Sequence, residues 1–454
     1  MNATDGNGAL REGWARTTLG ALGVYLNGRA FKSTEWSRTG RQIIRIQDLT
    51  GSSHNPNYYR GEADERHVVR TGDFLISWSA TLGAYIWTGP EAVLNQHIFK
   101  VLSAIDQQFH YHLVRNEIAD LERRAHGSGM VHVTKGVFDS TAVELPPLPE
   151  QRRIAVRLDE IEMASTTVVA HLASARSIVQ RFRTAVVAAA CSGRLTADWR
   201  QDDSNSTLDV PRSWRRATLG ELTDSIRGGS SEVPTVDITA FPVLRSSSVR
   251  PSSVDYDDVR YLSREQSQKA ANFVQDGDLL ITRLNGNIEY VGNAALVGGL
   301  DGRRVQYPDR LFRLRLKEPA HAPFVELFLA SPRARAQVRA VSRSAAGHQR
   351  ISIADLKGFS IELPPLNEQH EIVRRVNATL AAAAHITDRV DQTATALERV
   401  FDACLAKAFR GELVPTEAAL AEQAGRDFES AGELLARMES PNSATPHRPR
   451  NVAD

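Results

Sequence analysis

Apolar residues recur at alternating steps of four and three along two long stretches of this chain. One series starts at Ile154 and the other at Ile372, and nine of ten positions in the first and eight of ten in the second are apolar. A heptad repeat of this length is typical of a helix that packs along another helix. The predicted seam positions are Ile154, Leu158, Ile161, Val168, Leu172, Val179, Phe182 and Val186 in the first helix, and Ile372, Val376, Ile386, Val390, Leu397 and Val400 in the second.

Each predicted helix follows nearly the same ten residues. The sequence "LPPLPEQRRI" starts at Leu145, and "LPPLNEQHEI" starts 218 positions later at Leu363. Proline pushes the residue before it out of the helical region, so each Pro-Pro pair ends an extended segment. The following Glu-Gln pair places an acid at a helix N-terminus, and Gly193 and Gly411 lie where helices usually end. Two helices of equal length are expected to pair with each other in antiparallel orientation.

The repeat extends upstream of both helices. The segment "GWARTTLGAL" (13–22) parallels "SWRRATLGEL" (213–222) at an offset of 200, and "TGDFLI" (71–76) parallels "DGDLLI" (276–281) at an offset of 205. The offset then rises to 218 and stays there through the helices. Length changes are therefore confined to the first part of each repeat, as is typical of domains that carry loops.

These patterns predict an α+β protein with a pseudo-two-fold repeat. Two tandem mixed α/β domains are separated by two long helices that form an antiparallel coiled coil. Candidate strands lie at 42–49, 73–78, 241–247, 278–284 and 310–316, with shorter helices at 109–124 and 323–341. The predicted parts are a first domain at 13–147, a first helix at 148–195, a linker at 196–212, a second domain at 213–365, a second helix at 366–413, and a largely disordered tail at 414–454.

The composition is that of an ordinary soluble protein. Hydrophobic residues make up 42% of the 454 positions and charged residues 24%, and the apolar runs are too short for a membrane span. Two cysteines, Cys191 and Cys404, suggest neither a disulfide framework nor a zinc site. We therefore expect a cytoplasmic protein. The net charge of +1 does not indicate nucleic-acid binding by itself, but residues 301–350 hold eleven Lys and Arg against four Asp and Glu.

The chain lacks the sequence motifs of common catalytic sites. No G-x-x-x-x-G-K-[ST] phosphate loop and no H-E-x-x-H metal motif occur, and no G-x-G-x-x-G follows a predicted strand. We therefore expect no catalytic residue and no metal ligand, and the pattern favours a recognition or scaffolding subunit.

Polar side chains concentrate where the predicted strands end. Arginine, glutamine, asparagine and serine on loops are the side chains that read base edges, although they are also ordinary loop residues. The candidate DNA-binding residues are Arg41, Arg45, Gln47, Ser77, Ser79 and Thr81 in the first domain, and Arg245, Ser247, Arg283, Asn285, Asn287, Arg310, His348, Gln349 and Arg350 in the second.

The two Leu-Pro-Pro-Leu-x-Glu-Gln motifs, each followed by a heptad helix ending in "CSGRL" or "FRGEL", resemble the specificity subunit of type I restriction-modification systems. The resemblance covers nearly the whole chain. It implies that 13–147 and 213–365 are target recognition domains, and that each reads one half of a bipartite DNA target. The helices would then set the gap between the half-sites and dock the modification subunits.

The resemblance also implies a set of partners and cofactors. The subunit would be non-catalytic and would bind no cofactor itself, because S-adenosylmethionine and ATP are expected on partner subunits. The expected partners are double-stranded DNA and modification (methyltransferase) subunits, with restriction (endonuclease and translocase) subunits as a further option, and no membrane.

The residues alone leave other interpretations open. The chain could be a stand-alone DNA- or RNA-binding protein without a methyltransferase partner, or a coiled-coil scaffold whose variable blocks bind protein. Phosphate contacts make affinity fall steeply with salt, so the salt dependence of DNA binding separates these interpretations.

Overall fold

The fold was obtained as a computed structural model. It describes residues 10–53, 55–79, 81–125, 133–200, 210–235, 241–263, 273–345 and 347–440. The chain divides into two compact units, one comprising Met1–His171 with Thr393–Asp454 and the other Leu172–Gln392. Each of two long helices contributes one part of its length to the first unit and the other part to the second.

Helices of very different length occur along the chain. Two of them, α4 and α10, each span 44 residues, which is about 66 Å at ~1.5 Å per residue. The α-helices of the described residues are α1 (Ile46–Leu49), α2 (Gln107–Ala125), α3 (Lys135–Asp139), α4 (Leu148–Cys191), α5 (Ala197–Arg200), α6 (Leu219–Leu222), α7 (Ala322–Leu329), α8 (Pro332–Val341), α9 (Ile353–Lys357), α10 (Leu366–Phe409), α11 (Glu417–Ala424) and α12 (Ala431–Glu439).

The strands are short and alternate with loops. In the first unit they are β1 (Ala15–Thr18), β2 (Gly23–Asn27), β3 (Arg41–Ile44), β4 (Tyr58–Tyr59), β5 (Val68–Val69), β6 (Phe74–Ser77), β7 (Gly83–Ile86), β8 (Ala92–Leu94), β9 (Ile98–Ser103) and β10 (Ala142–Leu145). In the second unit they are β11 (Arg215–Thr218), β12 (Thr223–Gly228), β13 (Phe241–Leu244), β14 (Val249–Arg250), β15 (Ser253–Val254), β16 (Val259–Leu262), β17 (Leu279–Thr282), β18 (Leu284–Asn285), β19 (Ala294–Leu296), β20 (Leu311–Leu316), β21 (Arg343–Ala345), β22 (His348–Arg350) and β23 (Ser360–Leu363).

Each unit has its own central sheet, and the two sheets have the same topology. The first unit has a four-stranded sheet in the order β2-β9-β6-β7 and the second has one in the order β12-β20-β17-β19, both antiparallel throughout. A two-stranded sheet precedes each long helix, β1 with β10 and β11 with β23. The remaining strands differ, because the first unit adds the sheet β4-β3-β8-β5 and the second adds β13-β16, β14-β15 and β18-β22-β21.

Equivalent backbone contacts confirm the predicted repeat. The Leu19 amide donates to the Thr141 carbonyl at 3.0 Å, and the Leu219 amide donates to the Phe359 carbonyl at 2.9 Å. The two leucines are 200 positions apart and the two acceptors 218 apart, which are the offsets that the sequence gives for these segments.

The long helices pack in antiparallel orientation within each unit. In the first, Ile154 and Leu158 near the start of α4 share an apolar cluster with Leu405 near the end of α10. In the second, Ala190 at the end of α4 shares a cluster with Ile372 at the start of α10. Each helix ends before a glycine with positive φ, 79° at Gly193 and 66° at Gly411.

The seam differs from the predicted heptad at four positions. Exposed side chains occur at Val168 (37%), Phe182 (47%), Ile386 (52%) and Val400 (55%), so these residues do not belong to the buried stripe. The prediction was wrong there because a strict seven-residue repeat drifts around a straight α-helix, which has about 3.6 residues per turn. One continuous stripe of buried or half-buried positions in α10 runs through Ile372, Val376, Thr379, Ala383, Thr387, Val390, Ala394, Leu397, Phe401, Leu405 and Ala408, and its ten steps cover 36 residues.

Several predicted strands and helices end earlier than the patterns suggested. The candidate strands 42–49 and 241–247 stop at Ile44 and Leu244, after which the chain turns into a short helical segment. The candidate helix 323–341 is interrupted at Ser331, whose side chain accepts a hydrogen bond from the Ala334 amide and caps α8. Each of these elements is interrupted by a polar side chain that accepts a hydrogen bond from the backbone amide of a residue three positions away. Hydrophobic periodicity does not report this local effect.

The predicted tail contains two helices. Thr416 caps α11 and Ser430 caps α12, so residues 417–439 are structured where a largely disordered tail was expected. Residues 441–454, where disorder was also predicted, and residues 201–209 of the predicted linker lie outside the described residues. No helix of the described segments is both long enough and apolar enough to cross a membrane.

Candidate DNA interface

The Glu-Gln pair of each motif forms a buried polar junction at the start of a long helix. The Trp14 indole donates to Glu150 at 3.1 Å, and the Trp214 indole donates to Glu368 at 3.0 Å. The following glutamine donates to the carbonyl of the first motif proline at 2.8 Å in both units. The motif therefore fixes the direction of the helix against its domain, and its carboxylate is engaged structurally.

The two carboxylates have different further partners. Glu368 also accepts from Thr196 at 2.8 Å and from the Arg200 guanidinium. Glu150 instead accepts from the backbone amide of Glu417 at 2.8 Å, in the first turn of α11. Burial raises the pKa of Glu150 above its usual range, and a helix N-terminus is a favourable place for its charge.

The second unit brings together five of the predicted DNA-binding residues. In the small sheet β18-β22-β21, Asn285 lies opposite Gln349, and Leu284 lies opposite Arg350. The Arg283 amide next to this sheet donates to the Arg310 carbonyl at 2.9 Å. The candidates Arg283, Asn285, Arg310, Gln349 and Arg350 thus form one cluster, which we call the arginine cluster.

Other candidates of the second unit have local structural partners. Arg245 pairs with Asp258 at 2.9 Å and Ser247 also donates to Asp258, and these contacts, the Ser247 bond first, lower the pKa of that carboxyl. Asn287 caps a short helical turn by accepting from the Glu289 amide at 3.0 Å. His348 lies half-buried on β22, beside the arginine cluster.

The first unit places Ser77 and its neighbours at the end of β6, the equivalent of β17. Ser77 is buried and donates to the Thr81 carbonyl at 2.7 Å, and Ser79 is also buried, so neither hydroxyl faces solvent. Thr81 is exposed. The serines therefore shape this turn, and of the three only Thr81 is accessible to a ligand.

The remaining candidates of the first unit lie on the additional sheet. Arg41 donates to the Gly61 carbonyl at 3.1 Å and pairs with Glu91 at 3.5 Å. The Arg45 guanidinium lies 4.3 Å from the centre of the Trp36 ring. Gln47 is exposed on α1. These three residues stay predictions as DNA contacts.

Trp78 is not among the DNA-binding residues predicted above, but the structure places it in the position equivalent to Arg283. Trp78 follows β6 as Arg283 follows β17, and the Trp78 amide donates to the His97 carbonyl at 3.3 Å. The offset of 205 between "TGDFLI" and "DGDLLI" pairs these two residues directly. Reading that offset residue by residue identifies Trp78.

One group of possible metal ligands occurs in the first unit. Atoms of His112, Asp159 and Glu162 lie within 4.8 Å of one another. His112 binds Asp159 at 2.7 Å and Arg115 binds Glu162 at 2.7 Å, while burial lowers the pKa of His112. His112 Nε2, Asp159 and Glu162 thus take part in hydrogen bonds and ion pairs within the protein.

Comparison with known proteins connects this architecture to one family. The family model described as the type I restriction modification DNA specificity domain matches residues 11–171 and 249–392. The chain belongs to this family. The specificity subunit of type I restriction enzyme EcoKI of Escherichia coli K12 is 33% identical over 73% of this chain and 70% of its own length. The EcoBI specificity subunit of Escherichia coli is 27% identical over 96% of this chain and 94% of its own length.

A solved structure has the same fold. A chain from a study of complex assembly and conformational transition of the type I restriction-modification system superposes with a TM-score of 0.63 at 20% identity, covering 89% of this chain and all of that chain. Membership in the type I specificity family does not favour the scaffold or the stand-alone interpretation.

Proposed function

We propose that this type I specificity subunit gives a restriction-modification complex its DNA sequence specificity. Each unit reads one half of a bipartite, non-palindromic target in double-stranded DNA. The subunit itself is non-catalytic, and it directs partner subunits to the sequence that they modify or cut.

The observation that carries this proposal is the repeated frame with different side chains at the same position. Both units hold a residue at the end of the third strand of the central sheet by equivalent backbone bonds, yet one residue is Trp78 and the other Arg283. Side chains that reach base edges specify sequence, while the frame that holds them only positions the protein. Two copies of one frame with different reading side chains fit two different half-sites.

The long helices supply the spacing and the docking surface in this proposal. Their equal length of 44 residues suits a rigid separator, as the fixed spacing of half-sites does in other paired DNA readers. Modification subunits dock on the helices and carry S-adenosylmethionine, and restriction subunits, where present, carry ATP. The specificity subunit binds neither cofactor.

Sequencing adenine methylation across the genome, in cells with the gene intact and deleted, tests the proposal. The expected result is that a single bipartite motif loses methylation on deletion and regains it when the gene is restored. An unchanged set of methylated motifs, in cells shown to express an adenine-methylating modification subunit of a type I system, would contradict the proposal and favour the alternatives.

A further inference from the structure

The same two backbone bonds hold Trp78 and Arg283. Each residue follows a buried strand of the central sheet and donates its amide to the residue that precedes the neighbouring strand, His97 or Arg310. Each also accepts through its carbonyl, from the Val133 amide at 3.3 Å and the Ile351 amide at 3.1 Å respectively. The backbone at this position is therefore fixed in the same way in both units.

The two side chains also rest on equivalent phenylalanines. Trp78 stacks on Phe99 with ring centres 5.7 Å apart and planes at 30°. The Arg283 guanidinium lies 5.5 Å from the ring centre of Phe312. Both phenylalanines are buried, at 2% and 3% exposure, so each forms a rigid platform for a flat group.

The side chains at the two positions differ in charge. In the second unit, Arg310 and Arg350 are exposed beside Arg283. Within the described segments none of these three arginines has an ion-pair partner. In the first unit, His97 packs edge-on against Trp78 at 5.5 Å. One platform therefore carries a guanidinium and the other an indole ring.

The contacts that orient the Arg283 side chain favour a base contact over a phosphate contact. Its Nη1 donates to the Asp309 carbonyl at 3.2 Å. The guanidinium is therefore held by this hydrogen bond as well as by the Phe312 ring. A pre-oriented guanidinium suits the two acceptors on a guanine edge, O6 and N7. Exposed arginines such as Arg310 suit the backbone phosphates, which position the protein without specifying sequence.

We propose that positions 78 and 283 are the equivalent specificity-determining residues of the two units, and that Arg283 reads a guanine in the second half-site. This inference rests on the proposed function. Trp78 offers an apolar ring that cannot make the paired guanine contact, so the first half-site has a different requirement at the equivalent base pair.

The test uses the subunit assembled with its native partners and a set of duplexes in which each base pair of the methylated motif is replaced in turn. The substitution Arg283→Gln is expected to reduce discrimination about tenfold or more at one G·C pair of one half-site. Preference at every other position should stay within about twofold. The control Arg310→Gln should weaken binding to all duplexes and lower the salt slope by about one unit.

The outcomes distinguish a failure of guanine reading by Arg283 from a failure of the proposed function. Equal weakening of all duplexes by Arg283→Gln would overturn the inference while leaving the proposed function intact. A wild-type complex that does not prefer the motif would overturn both. Arg283→Lys keeps the charge and is the second variant where Arg283→Gln folds poorly. Because lysine can also donate to O6 and N7, it should lose discrimination only at the same G·C pair, and by less than Arg283→Gln. Equal weakening of all duplexes by Arg283→Lys would contradict guanine reading.

Discussion

The indole of Trp214 donates a hydrogen bond of 3.0 Å to the carboxylate of Glu368, and both side chains are buried. Trp14 and Glu150 make the same contact in the first unit. The bond joins the residue just before the first strand of each domain to the start of the long helix. It explains why the sequence repeats the tryptophan as well as the Leu-Pro-Pro-Leu-x-Glu-Gln motif.

The substitution Trp214→Phe should destabilise the second unit by about 1–2 kcal/mol, because it removes a donor from a buried carboxylate but keeps most of the packing. Urea unfolding measures the change, with Trp14→Phe as the matched variant for the first unit. Glu368→Ala should cost more, about 3–5 kcal/mol, since it removes the buried carboxylate that accepts from Trp214, Thr196 and the Arg200 guanidinium. Changes below about 0.5 kcal/mol for Trp214→Phe would show that the bond is dispensable.

The helices of the tail should stabilise the first unit. Truncation after Val414 removes the Glu417 amide that binds Glu150 and the buried side chain of Leu434. The loss should be at least about 2 kcal/mol. A chain ending at Ser440 keeps both helices and is the control. Thermal unfolding of the two truncations distinguishes a structural α11–α12 pair from an incidental one, because equal melting temperatures would exclude the structural role.

Adjacent residues of α10 should respond differently to truncation of their side chains. Phe401 is buried, and the Arg115 guanidinium lies 4.7 Å from its ring centre, whereas Val400 is 55% exposed. We expect Phe401→Ala to cost about 3 kcal/mol and Val400→Ala less than about 0.5 kcal/mol. Denaturant unfolding checks both variants. The predicted heptad seam includes Val400 and not Phe401, so it implies the opposite order. A larger effect at Val400 would therefore support the heptad seam over the buried stripe.

Acidification should weaken the first unit. His110 is fully buried between the Tyr25 hydroxyl at 2.9 Å and the Ser103 hydroxyl at 3.0 Å, and burial lowers its pKa to about 3. Between pH ~6.5 and 3 the unfolded chain binds a proton that the folded chain does not, so stability falls as pH falls, by about 1.4 kcal/mol per pH unit at most.

The variant His110→Gln tests the origin of that pH dependence. It keeps polar atoms near both hydroxyls but cannot titrate. The unfolding free energy of the variant should fall less steeply than that of the wild type between pH 6.5 and 5. Identical slopes for the two proteins would assign the acid sensitivity to other groups, with His112, whose pKa burial also lowers, as the next to examine.

The sequence predicted the repeat, the helix pair and the glycines at the helix ends, because each depends on local residue types at matching offsets. It did not predict that Val400 is exposed and Phe401 buried. A seven-residue repeat has an average spacing of 3.5 residues and the buried stripe of α10 a spacing of 3.6, so the two diverge by only one position over ten steps. The Trp–Glu bonds were also missed, because they join residues more than 130 positions apart. The DNA-reading residues are the least predictable, as the same loop side chains also serve as caps and ion-pair partners.

The proposal that the long helices set the gap between the half-sites can be tested directly. Inserting seven residues, about two turns, at matched points of α4 and α10 keeps the buried stripe nearly in register. It should lengthen the separator by about 10 Å, or roughly three base pairs. Genome-wide sequencing of adenine methylation should then show the wild-type half-sites separated by a gap about three base pairs longer. Altered half-site bases at an unchanged gap would contradict the claim that the two units read the half-sites and the helices set their spacing.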